Sequence, residues 1–343
     1  MIRIGTDCTG IDALHCALKS MSVDFDYRFA SEPQLQLQHF LKNMSNPPKQ
    51  LYNTIEERLE LISEEVDLYV TGFPCQSFSV MGKKAGFEDA RGTVFFDVLK
   101  YLQLYQPKVF ILENVKGLLT HEKGKTMNTI LHHLQHLSVY DVSYKVLSPT
   151  SIGFPHHRQR VFIIGVHKVK QKVVNGLWDL DIINVTLPNL LLSRDAAITI
   201  QPTCNRALCR SAQCNLVDIQ NTLTQKGYDS NTETIIADLS RGVSYTRYSQ
   251  SAPTIGVCPC LRLNSRDYWI TNQHRYITWK EALLLQGFDG NTFGSVVCRP
   301  PKKSKAPSQR LVFMWAGNSI CVPLLSGILK PIVYALSKKK TEM

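Results

Sequence analysis

The chain has 343 residues, 44% hydrophobic and 20% charged, with a formal net charge of +11 and a pI near 9.1. That length holds one large domain or two ordinary ones, and the composition excludes a disordered or fibrous chain. The positive balance favours a polyanionic partner, nucleic acid before an anionic membrane surface.

Ile2 to Thr6 reads as a first strand, leading into Asp7-Cys8-Thr9-Gly10-Ile11-Asp12 and a helix with Leu14, Ala17 and Leu18 on one face. Phe25 to Ala30 reads as a second strand, ending at Ser31-Glu32-Pro33. Such a unit, with an acid closing its second strand, holds nucleotide-like cofactors: turn amides meet the polar part and a carboxylate meets the ribose. An ordinary βαβ unit with a solvated Glu32 has the same pattern.

The apolar run Val66 to Val70, broken only by Asp67, predicts a buried strand, after which Gly72 and Pro74 force the chain out of extended structure. Cys75 then falls at the carboxyl edge of a sheet, where open α/β folds keep reactive groups. A thiol there is a nucleophile if a cation or turn amides favour its thiolate, and otherwise a small buried apolar residue. A polar loop, Gly82 to Arg91, carries Lys83, Lys84 and Arg91 before a helical pattern from Gly92 to Tyr105. Val109 to Leu112 reads as a strand ending at Glu113-Asn114-Val115, and Val161 to Val166 as another, preceded by His156-His157-Arg158-Gln159-Arg160. Strands alternating with helices predict an α/β fold, a doubly wound, mainly parallel sheet.

After Lys172 the pattern loosens, and 173–274 reads as a smaller, irregular domain with short strands at Val243 to Tyr248 and Thr254 to Val257. A helix from Trp279 to Gln286 closed by Gly287, an exposed loop from Cys298 to Arg310, and a last helix beyond Ser319 complete the chain. The expected division is 1–172 with 312–343 as the cofactor-binding domain, 173–274 as the second domain and 275–311 as a hinge and connecting loop.

The ten cysteines are scattered, and neither a signal-like N-terminus nor an apolar run of membrane-spanning length is read. The expected setting is an intracellular, reducing compartment with free thiols: the cytoplasm of a prokaryote, or the nucleus or cytoplasm of a host cell. Cys204, Cys209 and Cys214 recur every five residues, whereas zinc sites pair cysteines two to four apart, so no metal site is expected.

Six stretches in order resemble the motifs of the DNA (cytosine-5) methyltransferases. They are Gly72-Phe-Pro-Cys-Gln-Ser-Phe-Ser79, Gly82 to Phe96, Glu113-Asn-Val115, His157-Arg-Gln-Arg-Val-Phe-Ile-Ile-Gly165, Arg275 to Phe288 and Gly317-Asn-Ser-Ile-Cys-Val-Pro323. The resemblance implies an S-adenosylmethionine-dependent, Rossmann-like methyltransferase fold with a target-recognition domain. It also implies transfer of a methyl group from S-adenosyl-L-methionine to C5 of a cytosine flipped out of duplex DNA. On it, Cys75 adds to C6, Glu113 holds or protonates N3, and Arg160 with Arg158 holds the base carbonyl and orients Glu113. Asp7, Cys8, Gly10, Ile11, Glu32, Pro33, Thr54, Pro74, Thr93, Asn318 and Ser319 are the implied cofactor residues. Gln76, Ser79, Lys83, Lys84, Arg91 and Thr254 are the implied DNA contacts, and Arg241, Arg247, Arg262 and Arg266 are candidates for reading guanine edges, although each alone more often meets phosphate or solvent.

Departures from the family pattern are specific. Cys8 replaces an aromatic, Asp12 replaces the second glycine of the turn, Asn53-Thr54-Ile55 stands where an acid near the adenine is usual, and His156 stands for the commoner glutamine. They predict an altered adenine and sulfonium pocket. The roles left open are modification beside a cognate restriction endonuclease and a viral or phage modifier. Two other readings compete: the branch acting on transfer RNA, from which Phe73-Pro74-Cys75 departs, and a DNA-binding module without turnover.

Overall fold

The structure, a computed structural model, describes residues 1–60, 65–74, 90–171, 174–240, 255–262, 267–289 and 308–337, with the backbone alone for 90–93. The chain divides into two compact units, 1–147 with 159–181 and 324–343, and 148–158 with 182–323.

In the first unit β1 (Ile2–Asp7), β2 (Phe25–Ser31), β3 (Gln50–Tyr52), β4 (Leu68–Thr71), β5 (Val109–Val115), β6 (Tyr140–Leu147) and β7 (Arg160–His167) form one sheet in the order β3-β2-β1-β4-β5-β7-β6. β1 to β5 are parallel, and β7 runs antiparallel between β5 and β6. β4 is wholly buried and β5 nearly so, which is why both read as unbroken apolar runs. Close packing needs glycine: a Cβ on Gly165 would stand 2.1 Å from the ring of Phe110, its register partner.

Helices α1 (Ala13–Ser20) and α2 (Leu35–Lys42) serve strands that step towards β3, whereas α3 (Ile55–Glu60) and α4 (Ala90–Tyr105) serve strands that step the other way. Right-handed crossovers therefore place the two pairs on opposite faces. α5 (Lys125–His136) joins the second pair, its Met127, Ile130 and Leu134 packing with Val98, Tyr101 and Leu102 over Phe110 and Ile163.

The second unit contains α6 (Arg194–Ile200), α7 (Arg210–Gln225) and a three-stranded antiparallel sheet of β8 (Ile236–Asp238), β9 (Tyr268–Ile270) and β10 (Arg275–Tyr276). Ala212, Ile219 and Leu223 of α7 pack with Ala197, Ala237, Trp269 and Tyr276. α8 (Trp279–Leu284) opens on a capping box between Thr278 and Glu281. The same carboxylate takes both Nη groups of the fully buried Arg275, at 2.9 and 2.7 Å. α9 (Gln309–Asn318) and α10 (Val322–Ser337) follow, and α10 from Leu324 onward belongs to the first unit, where Ser326 reaches Ser20 of α1 at 3.3 Å between hydroxyl oxygens.

Several expectations change. The Glu113-Asn114-Val115 stretch lies inside β5 rather than beyond it, because β7 pairs all three residues. The second domain is more regular than its polar composition suggests, since α7 needs only a sparse apolar stripe. The Ala316-Gly317-Asn318 stretch ends a helix instead of preceding one. By length and composition Gln309–Ser337 would also suffice to cross a membrane, contrary to the sequence reading, but here it is two helices parted at Ser319. The strand read at Val243 to Tyr248 lies outside the described residues, as does most of the loop read at Cys298 to Arg310.

At the amino edge of the sheet Asp67 ties the starts of three strands. Its carboxylate accepts from Arg3 N at 2.9 Å and from Arg3 Nε and Nη2, each at 3.1 Å, and pairs with Lys108 Nζ at 3.0 Å. Burial raises this carboxyl, but hydrogen bonds from Arg3 and Lys108 outweigh it and hold it at about 2. A depressed folded-state pKa contributes stability above the unfolded value near ~4 that is lost as pH falls through the folded one. Asp67→Asn is expected to lower stability by about 1–2 kcal/mol at pH 7, discounted for partial exposure. In urea titrations the gap from wild type should close as pH falls from about 4 towards 2, and a pH-independent gap would contradict the assignment.

Candidate active site at the carboxyl edge of the sheet

Because β1 to β5 are parallel, their carboxyl ends share one edge, and the winding direction changes between β1 and β4. On that edge the first unit gathers the turn after β1, Glu32 after β2, Thr54 after β3, Pro74 after β4, and Glu113 of β5 with Arg160 of β7.

In the turn after β1, Cys8, Gly10 and Asp12 all have positive φ, 51°, 58° and 54°. Glycine adopts this region freely, whereas the other two must be held there. Thr9 N donates to Ser31 O at 3.1 Å and Asp12 N to Thr9 O at 3.0 Å. The Asp12 carboxylate caps α1 by accepting from His15 N at 3.0 Å, and accepts from Tyr27 OH at 2.6 Å. Asp12 thus replaces a glycine by supplying its own anchors. Ile11 is buried beside it.

Glu32 is buried, and its two carboxylate oxygens accept from Gly10 N at 2.9 Å and Gln34 N at 3.0 Å. Each oxygen keeps acceptor capacity, the arrangement a pair of ribose hydroxyls would need. Burial raises the Glu32 pKa, and the two amides offset part of that. Pro33 is exposed, and Thr54 spends its hydroxyl oxygen on capping α3, accepting from Glu57 N at 3.1 Å. Cys8 is half-buried, and desolvation together with Asp7 and Glu32 pushes its thiol well up. The Asp7 side chain turns inward: Ser31 Oγ and Tyr69 OH each donate to it at 2.6 Å, and Arg58 pairs with it. Its carboxylate is therefore engaged by the protein itself.

Glu113 Oε1 forms an ion pair with Arg160 Nε at 3.1 Å. Gly72 makes room for this carboxylate, since a Cβ there would lie 3.2 Å from Glu113 Oε2. Asn114 Nδ2 donates to Phe73 O at 3.3 Å, fixing the segment that leads through half-buried Pro74 to Cys75. Arg158 belongs to the second unit. Its Nη1 donates to Leu261 O at 3.1 Å and its Nη2 to Ser319 O at 2.8 Å. There it braces backbone, while His156 Nε2 accepts from Leu261 N at 3.2 Å. Asn318 is exposed at the end of α9, and Ser319 N closes that helix onto Trp315 O at 3.0 Å. Arg262 pairs with Asp238.

Cys75, Gln76, Ser79, Lys83, Lys84, Thr254, Arg241, Arg247 and Arg266 lie outside the described residues, and Arg91 and Thr93 are placed by the backbone of α4 alone. Ser31, Arg58, Tyr69, Gly72 and Asn114 emerge as supporting residues to which the sequence reading gave no role in the site. For Gly72 and Asn114 the motifs themselves were the signal. A surface cavity of about 410 Å³, lined by Met1, Lys19, Phe25 and Lys49 among others, opens at the amino ends of β1 and β2 and holds none of these groups.

The eight described cysteines are free thiols in contrasting settings. Cys209, exposed at the start of α7, has its pKa lowered by a hydrogen bond with Ser211 and by the Ala212 amide, whereas burial raises Cys8 and Cys258. In iodoacetamide labelling at pH 7.5 followed by peptide mass spectrometry, Cys209 should be modified first among these eight and Cys8 and Cys258 last. Early labelling of Cys258 would contradict its burial.

Comparison with known proteins bears on the whole chain. The profile of the family described as C-5 cytosine-specific DNA methylase matches residues 8–334. The type II methyltransferase M1.ScrFI of Lactococcus lactis subsp. cremoris is 30% identical over 280 residues, 80% of this chain and 64% of that protein. The type II methyltransferase M.HpaII of Haemophilus parainfluenzae is 48% identical over 120 residues, 34% of this chain and 32% of its own. The chain thus matches less than two thirds of the length of either relative. The crystal structure of the S. pombe Dnmt2 methyltransferase superposes with a TM-score of 0.61 at 16% identity, covering 97% of this chain and 99% of that one, a likeness of fold.

Proposed function

The chain belongs to the C-5 cytosine-specific DNA methylase family, and from that premise we propose that it methylates C5 of a cytosine flipped out of a specific duplex DNA sequence, through a covalent Cys75–C6 adduct. The observation that carries this reading is the Glu113–Arg160 pair on the sheet edge, beside the Gly72-Phe73-Pro74 segment that delivers Cys75.

C5 of cytosine is too electron-poor to attack a methyl sulfonium directly. Addition of the Cys75 thiolate to C6 makes C5 enamine-like. Glu113 holds or protonates N3, accommodating the charge that addition places on the ring, and Arg160 holds the base carbonyl and orients Glu113. S-adenosylmethionine, when bound, supplies the electrophilic methyl group. Loss of the C5 proton and elimination of Cys75 then release the product base. The spare acceptor capacity of buried Glu32 suits the ribose hydroxyls, with Cys8, Gly10, Ile11 and Pro33 along the same turn and strand ends; Asn318 and Ser319 are assigned to this pocket by motif alone.

Gln76, Ser79, Lys83, Lys84, Arg91 and Thr254 are the proposed DNA contacts, and the second unit is the proposed target-recognition domain. The type II naming of the relatives suggests a restriction endonuclease acting on the same site as partner. Free thiols and a DNA substrate fit an intracellular, reducing compartment.

Incubation with S-adenosylmethionine and duplex DNA containing 5-fluorocytosine tests the reading, because fluorine at C5 cannot leave as a proton does. A covalent band that requires both cofactor and Cys75, and is lost in Cys75→Ser, is the expected result. A band on transfer RNA alone would move the substrate to RNA, and no band on either with DNA binding retained would mark a binding module. On unmodified DNA, Glu113→Gln is expected to lower kcat about 10²–10⁴-fold.

A further inference from the structure

The carboxylate of Asp7 lies beneath the turn assigned to the cofactor and is wholly buried, as is Arg58. Arg58 Nε donates to Asp7 Oδ1 at 3.1 Å and Arg58 Nη2 pairs with Oδ2. The guanidinium lies in the corner formed by the rings of Phe29 and Tyr101, 4.2 and 4.3 Å from their centroids, the rings themselves meeting edge to face. Ser31 Oγ and Tyr69 OH complete the shell of the carboxylate, each at 2.6 Å.

Each partner sits next to a residue of the pocket. Asp7 precedes the Cys8–Gly10 turn, Ser31 precedes Glu32, and Arg58 lies one turn along α3 from Thr54, with Arg58 N donating to Thr54 O at 3.3 Å. Tyr69 belongs to β4, which leads to Pro74. One carboxylate therefore links the ends of β1 and β2, the strand β4, and the helix that follows β3.

We propose that Arg58, acting through Asp7, is a positioning residue for the cofactor pocket, holding α3 and the Gly10 turn in register with Glu32. This rests on the S-adenosylmethionine reading above. A planar fork packed against two rings fixes position as well as charge, which a lysine at that place would not reproduce. The Asp67 cluster at the other edge of the same sheet provides a control, since it ties strands together without touching the pocket.

The test uses the full chain as wild type, Arg58→Lys, Arg58→Met, Tyr69→Phe and Asp67→Asn. It measures the Kd for S-adenosylmethionine calorimetrically, kcat and cofactor KM on DNA, and Tm. Arg58→Lys and Arg58→Met should raise Kd and KM tenfold or more, Lys less than Met, with kcat at saturating cofactor within twofold of wild type. Tyr69→Phe removes one hydroxyl from the same carboxylate and should raise Kd about fivefold; it carries the test should the Arg58 variants not fold. Asp67→Asn should lower Tm and leave Kd within twofold. Wild-type affinity in a folded Arg58 variant, or in Tyr69→Phe if none folds, would overturn the inference, as would equal weakening by Asp67→Asn at matched loss of Tm. A wild type that binds no S-adenosylmethionine would overturn the cofactor reading itself, and the inference with it.

Discussion

A carboxylate taken out of water needs donors arranged around it, and three such groups organise the working edge of this sheet. Asp7 is enclosed by a guanidinium and two hydroxyls, Glu32 by two backbone amides, and Glu113 by Arg160. The degree of enclosure sorts them. Asp7 has four neighbouring donors and acts inside the protein, whereas Glu32 keeps acceptor capacity for hydroxyls brought by a ligand. Glu113 is paired with Arg160 and given space by the missing side chain of Gly72.

The antiparallel insertion of β7 makes the Glu113–Arg160 pair. Were β7 parallel to β5, its arginine-bearing start would fall at the amino edge, far from Glu113. Running the other way, the strand pairs Val115 with Arg160 and puts the cation at the same edge as the acid. β6, at the sheet margin, reaches that register by pairing Leu147 with the same Arg160.

Much of this was legible in the sequence, because the motifs name residues that must converge and the apolar runs name the strands that carry them. Glu113 and Arg160, brought together by the resemblance alone, stand on neighbouring strands, and Glu32 meets the Gly10 turn. The rest depended on partners far along the chain. Arg58, in an acidic helix, looks like one more surface charge until the fold turns it under β1, 51 residues away from Asp7. Arg158 and Arg160 are alike in one dimension, yet their side chains take different work, one on backbone carbonyls and one on a carboxylate. α7 was hidden because three apolar residues suffice to seat a helix in a small domain otherwise polar in composition.

The contact between Ser20 and Ser326 spans 306 residues, and α10 completes the first unit only after the whole second unit has been made. During synthesis on the ribosome the first unit therefore waits for its last helix through most of translation. At about 5–20 residues per second that delay is on the order of 15 to 60 seconds. A nascent chain with this topology leaves its first unit incomplete for that interval, so its yield in a cell depends on chaperone supply and translation speed as well as on the stability of the finished fold.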